Sequence, residues 1–158
     1  MVSRVEQQIQ NTLATMKYGR YSSFMTSGQE EKNIEILRSI LELAKSKHLE
    51  IIGFFPPYPH KLYSYMKDSK EYRDTVNLLP RHVKRVFDDT GLTFFDFSDI
   101  TVFGVPDTEF VDNIHASDKM YVRILIVMVE NVPSLKKYAD VKRLRTILGS
   151  NKEDILTF

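Results

Sequence analysis

The sequence predicts an α/β fold in which a few parallel strands are flanked by several helices. Three observations carry that expectation. A broad helical stripe of apolar residues between 34 and 44 leads into the run Leu49-Glu50-Ile51-Ile52-Gly53-Phe54-Phe55, which stops at Pro56-Pro57. A short, continuous apolar run of this kind reads as a strand covered on both faces, as in a parallel sheet. A second helical period from Tyr72 to Asp89 then leads into the aromatic run Leu92-Thr93-Phe94-Phe95-Asp96-Phe97, a second strand by composition.

The 158 residues, 42% hydrophobic and 27% charged, are the size and composition of one globular domain spanning 1–158. A net charge of +1 provides no global field to attract nucleic acid, and no nucleic-acid partner is expected. The absence of cysteine excludes structural disulfides, thiolate zinc sites and a cysteine nucleophile, and leaves the redox compartment open. Residues 1–8 contain no apolar signal core, and nowhere do about 18 uncharged apolar residues run together. The chain as written is read as cytoplasmic, with neither a classical signal nor a membrane span.

Val5, Ile9, Leu13 and Met16 form the stripe of an N-terminal amphipathic helix that Gly19 can end. Its opposite face is Gln, Asn and Thr, which suits docking on protein, within this chain or on a partner, rather than on a membrane surface. Residues 18–28 read as a connection closed by Ser27 and Glu30 in capping-box spacing. In the next helix Ile34, Leu37, Leu41 and Ala44 form one stripe and Ile36, Ile40 and Leu43 another, so burial on more than one side is expected. Lys45, Lys47 and His48 suit its C-terminal dipole.

Pro56-Pro57-Tyr58-Pro59-His60-Lys61-Leu62-Tyr63-Ser64-Tyr65 reads as a rigid aromatic loop leaving the C-terminal end of the first strand, where open α/β sheets place ligand crevices. Pro57, Tyr58, His60 and Tyr63 are the candidate binding residues; the alternative is that these side chains pack the loop onto the domain. Pro80 either kinks the helix over 72–89 or starts a second one, and Gly91 is placed to stop it. Ser117 can cap a helix over the apolar run 120–129, for which a central strand is the alternative. Pro133 suits a first helical turn, and Leu135, Tyr138, Val141, Leu144 and Leu148 mark a last helix ending at Gly149, its Lys and Arg residues a solvated face.

The chemistry-bearing stretch is the polar segment 107–117, which contains Asp112-Asn113-Ile114-His115. A carboxylate three residues before an imidazole can accept its N–H, fix its tautomer and stabilise the imidazolium. Eleven aspartates and four histidines make some D-x-x-H common by chance, so its position beyond the second strand gives it weight. His60 and His82 could join Asp107, Asp112 and His115 as metal ligands, but no H-x-x-x-H or H-E-x-x-H pair exists, and neither metal nor cofactor is expected.

The order of helix, buried strand ending Phe54-Phe55-Pro56-Pro57, long helix, strand Phe94-Phe95-Asp96-Phe97 and then Phe110-Val111-Asp112-Asn113-Ile114-His115-Ala116-Ser117 resembles the C-terminal half of the SGNH (GDSL-like) hydrolase superfamily. The nearest likeness is to its cell-envelope O-acyltransferase and esterase-like branch. The resemblance covers 29–130, with 1–28 an N-terminal helix and connection and 131–158 a C-terminal helix and tail. It implies a partial flavodoxin-like arrangement, His115 as general base and Asp112 as its orienting carboxylate, an ester or acylated carbohydrate as substrate, and a location in the cell envelope.

The family's G-D-S nucleophile block and its Gly and Asn oxyanion blocks have no counterpart in the sequence. Gly28 precedes Gln29, and Ser22-Ser23 follows no apolar strand. The resemblance therefore implies an SGNH-like module inactive by itself, with Ser22, Ser23, Ser64 and Ser117 the hydroxyls to inspect for a hidden nucleophile. From a different class comes a non-catalytic assembly domain completed by a second chain. Two strands leave open sheet edges, so a homodimer or a partner chain is expected, with the N-terminal helix as the seam.

Overall fold

The computed structural model describes residues 3–19 and 30–150. In chain order these form α1 (Arg4–Lys17), α2 (Glu30–Ser46), β1 (Ile52–Phe55), α3 (His60–Asp68), α4 (Arg73–Thr90), β2 (Thr93–Asp96), α5 (Asp118–Asn131) and α6 (Val141–Ser150), with short 3-10 turns between β2 and α5 and between α5 and α6. The fold is α/β and mostly helical. Ser27, the capping partner expected for Glu30, and the connection over 20–28 lie outside the described residues.

β1 and β2 pair in parallel, Gly53 beside Phe94 and Phe55 beside Asp96. Because side chains alternate across a strand, one face carries Ile51, Phe55, Leu92 and Phe94 against Leu41 of α2 and Val83, Val86 and Phe87 of α4. The other carries Phe95 and leads to Phe97, whose rings stack 5.4 Å apart and pack over Ile100, Phe110, Met120 and Ile124. The sheet is thus a middle layer between α2 with α4 and α5. Gly53 belongs to the first face: a Cβ there would lie 2.4 Å from the Phe87 ring, so only glycine lets α4 seat this close.

α1 and α3 build a second core beside the sheet, with Ile9, Met16, Leu62 and Met66 joined by Tyr72 and Val76. The stripe of α1 is therefore docked within the chain, and Ile9 and Met16 are fully buried. The seam expected on α1 is already occupied by the protein's own α3.

Several expectations are corrected. The aromatic stretch after β1 is a two-turn helix, α3, rather than a loop. Its first amides, those of His60 and Lys61, donate to the Asp107 carboxylate, a cap supplied from far along the chain that local sequence does not display. Pro80 sits inside one continuous α4, and Gly91 ends it at φ 72°. α2 buries only Leu41 and Ala44; Ile36, Ile40 and Leu43 are about half exposed. Phe54 is also partly exposed, so β1 is not covered on both faces. The last helix is split, because the Asp140 carboxylate accepts the Lys142 and Arg143 amides and starts α6 afresh. The run 120–129 is helical, capped by Ser117 as expected. No helix among the described residues is long and apolar enough to cross a membrane.

Candidate functional site

The segment after β2 doubles back on itself. Phe110 and Ala116 form an antiparallel bridge, the Val111 amide donates to the His115 carbonyl at 2.8 Å, and the Ser117 amide donates to the Glu109 carbonyl at 3.0 Å. These bonds close a narrow hairpin whose tip is Asp112 to His115. Within it the Asp112 Oδ1 accepts the Ile114 and His115 amides, both at 2.7 Å. That is an Asx turn, the local bonding for which aspartate is suited. Asp112 Oδ2 lies 2.7 Å from His115 Nδ1, so the D-x-x-H forms the hydrogen-bonded pair its spacing predicts.

Three anchors hold the hairpin. Asn113 donates to the Thr12 hydroxyl of α1 at 2.9 Å, and Ile114 packs on the core of α1 and α3. Glu109 is buried and receives Arg123 of α5 through two bonds, Nε to Oε2 at 3.0 Å and Nη2 to Oε1 at 2.7 Å. Two parallel bonds fix both planes, and the pair ties the hairpin base to α5. The guanidinium is held above its ordinary pKa by the Glu109 hydrogen bond, against burial and with the Glu109 charge.

For Asp112, burial pushes the carboxyl up, but bonds from the His115 amide, the His115 ring and the Ile114 amide, with the ring's charge, together win and hold it below the usual carboxylate range. The ionised carboxylate orients the ring. With the proton on Nδ1, Nε2 carries the lone pair and can accept a proton. The His115 side chain is 72% exposed, and among the described residues no hydroxyl hydrogen-bonds it. Ser117 is fully buried and spends its Oγ on the Met120 amide. Ser64 lies half-buried on α3, and Ser22 and Ser23 lie outside the described residues.

The candidate binding residues separate. Pro57 is buried, and Tyr58 is clamped to the β2 exit, its amide donating to the Ser98 carbonyl at 3.0 Å. Burial, and secondarily the Asp96 charge, raises the Tyr58 phenol pKa. These two pack the loop onto the domain. His60 opens instead onto a surface groove with Glu6, Lys61, Thr101 and Asp107, whereas Tyr63 lines a different cleft with Asp96. His115 is in the wall of neither. Among the described residues no three His, Asp or Glu side chains converge so as to hold a metal.

Sequence reading missed Asp107 as the cap of α3 and the Glu109–Arg123 pair. Neither has a local signal, since each joins residues that only the folded chain brings together. Comparison of the chain with protein-family models, with curated proteins and with solved structures finds no match.

Proposed function

We propose that this chain is an SGNH-hydrolase-like module, related to ester hydrolases and O-acyltransferases, that carries the acid and base of a Ser-His-Asp site and is inactive without a nucleophile from elsewhere. One observation carries the reading: Asp112 Oδ2 meets His115 Nδ1 at 2.7 Å on a loop following a parallel strand, with the His115 side chain 72% exposed. In a flavodoxin-like arrangement β1 has neighbours on both sides. Its edge away from β2 has no strand among the described residues, and there a nucleophile-bearing strand would extend the sheet. Acyl transfer from an ester or acylated carbohydrate then needs a serine oxygen within reach of Nε2 and amide donors for the oxyanion.

The test is covalent labelling with a fluorophosphonate, together with hydrolysis of an activated ester. The isolated chain should take no label and should hydrolyse no faster than free imidazole, with His115→Ala removing only that ring's share. A labelled serine with saturable turnover would show a resident nucleophile. An Asp112 carboxyl whose titration, followed by carbon NMR, is the same in His115→Ala would remove the basis of the acid–base pair.

A second reading, a non-catalytic assembly domain, is favoured by α2. Arg38 and Lys45 on its far side bind Asp89 and the Thr90 carbonyl of α4. The stripe of Ile36, Ile40 and Leu43 accordingly points away from α4 and is about half exposed. We propose a second copy of the chain as its occupant, since a two-fold axis lays the same apolar stripe of each copy on the other. Light scattering decides it: a dimer that Ile40→Glu dissociates supports assembly, and a wild-type monomer at micromolar concentration refutes it.

A further inference from the structure

We propose that the cleft between α3 and α4, at the C-terminal end of β2, binds a phosphorylated polyol, with Lys67 and Arg81 on the phosphate and Asp96 and Tyr63 on the hydroxyls. The cleft holds about 330 Å³ and is walled by Tyr63 and Lys67 of α3, by Asn77, Pro80, Arg81 and Lys84 of α4, and by Asp96. It is separate from the Asp112–His115 pair and does not depend on that pair's role.

The place is where open parallel sheets receive ligands, because strand ends there leave a crevice between the connections that follow. Its charge is unlike that of the whole chain. Three cations and one carboxylate face a single small space in a protein whose net charge is +1. Lys84 is occupied by Asp88, at 2.7 and 2.8 Å, whereas Lys67 and Arg81 form no ion pair among the described residues. Two unpaired cations on facing helices suit one anion of two charges, with the guanidinium fork matched to phosphate oxygens.

The acceptors specify the rest of the ligand. Asp96 gives one oxygen to the Ser98 amide at 3.0 Å and keeps the other for a donor. A carboxylate beside an anion site accepts hydroxyl protons, and so selects a ligand that carries hydroxyls as well as phosphate. The Tyr63 phenol, its pKa raised by burial and by the Asp99 and Asp96 charges, stays a hydroxyl donor at neutral pH.

The test uses the full chain, nitrogen-15 labelled, titrated separately with glycerol 3-phosphate, glucose 6-phosphate, inorganic phosphate and glycerol. Saturable shifts confined to Tyr63, Lys67, Asn77, Arg81 and Asp96 are expected with the two phosphorylated polyols, and none with glycerol. Lys67→Ala and Arg81→Ala should each weaken binding at least fivefold, while Lys142→Ala on α6 leaves it unchanged. Asp96→Asn should tighten inorganic phosphate, because a repulsive charge is lost, and should lower the preference for polyol phosphate over phosphate at least threefold. Absence of shifts at 10 mM, affinity insensitive to Lys67 and Arg81, or a preference unchanged in Asp96→Asn would each overturn the proposal.

Discussion

Arg123→Ala is the sharpest probe of the hairpin that carries Asp112 and His115. Glu109 keeps 9% of its side-chain surface exposed and Arg123 keeps 29%, so the two deletions are not equivalent. Removing Arg123 strands a carboxylate that water barely reaches, whereas removing Glu109 leaves a guanidinium that can swing outward. Breaking a buried pair costs about 3–5 kcal/mol. Partial access at the arginine lowers the expectation to about 2–4 kcal/mol for Arg123→Ala and about 1–2 kcal/mol for Glu109→Ala.

Urea unfolding followed by circular dichroism measures both, and the double variant gives the coupling. The double variant should lose less than the sum of the singles, since neither charge is then left alone. In a chain of this length a 3 kcal/mol loss lowers the melting temperature by about 6–12 °C. A loss below about 1 kcal/mol for Arg123→Ala, or strict additivity, would refute the argument that this pair pins the hairpin to α5.

Gly53→Ala places a methyl 2.4 Å from the Phe87 ring, and overpacking should cost about 1–3 kcal/mol in urea unfolding, relieved when Phe87→Leu is added. Ile9→Glu, at a fully buried position of α1, should abolish cooperative unfolding, while Ile40→Glu on exposed α2 changes monomer stability by less than about 0.5 kcal/mol. The Asp112 carboxyl is depressed when folded, so its contribution is present above the unfolded value and lost as pH falls through the folded one. Asp112→Asn should therefore be less stable than wild type at pH 7, by about half a kcal/mol given its solvent access, and equal to it once the pH has fallen through the folded-state value; a gap that persists in acid would place the effect elsewhere.

Much of this protein is local and so was readable from its residues. The two strands announce themselves by short apolar and aromatic runs, the stop of α4 by Gly91, and the start of α5 by Ser117, because each depends on groups within a few residues. The Asp112–His115 contact is of the same kind. Three intervening bonds bring the carboxylate back to the ring, and the same carboxylate caps the turn that makes this possible.

Tertiary structure decided what depends on distant partners. α3 exists as a helix because Asp107 caps its first amides from 46 and 47 residues away. The stripe of α1 became core, and the second stripe of α2 became surface, although the two patterns look alike in sequence. Periodicity reports that a face is apolar but not what lies opposite, and only packing supplies the opposing surface: α3 covers Ile9, whereas nothing among the described residues covers Ile40. The cleft at Asp96 likewise joins residues 63, 67, 77, 81, 84 and 96. Its charge balance arises when α3 and α4 are laid side by side over the end of β2, a juxtaposition that no stretch of the chain encodes alone.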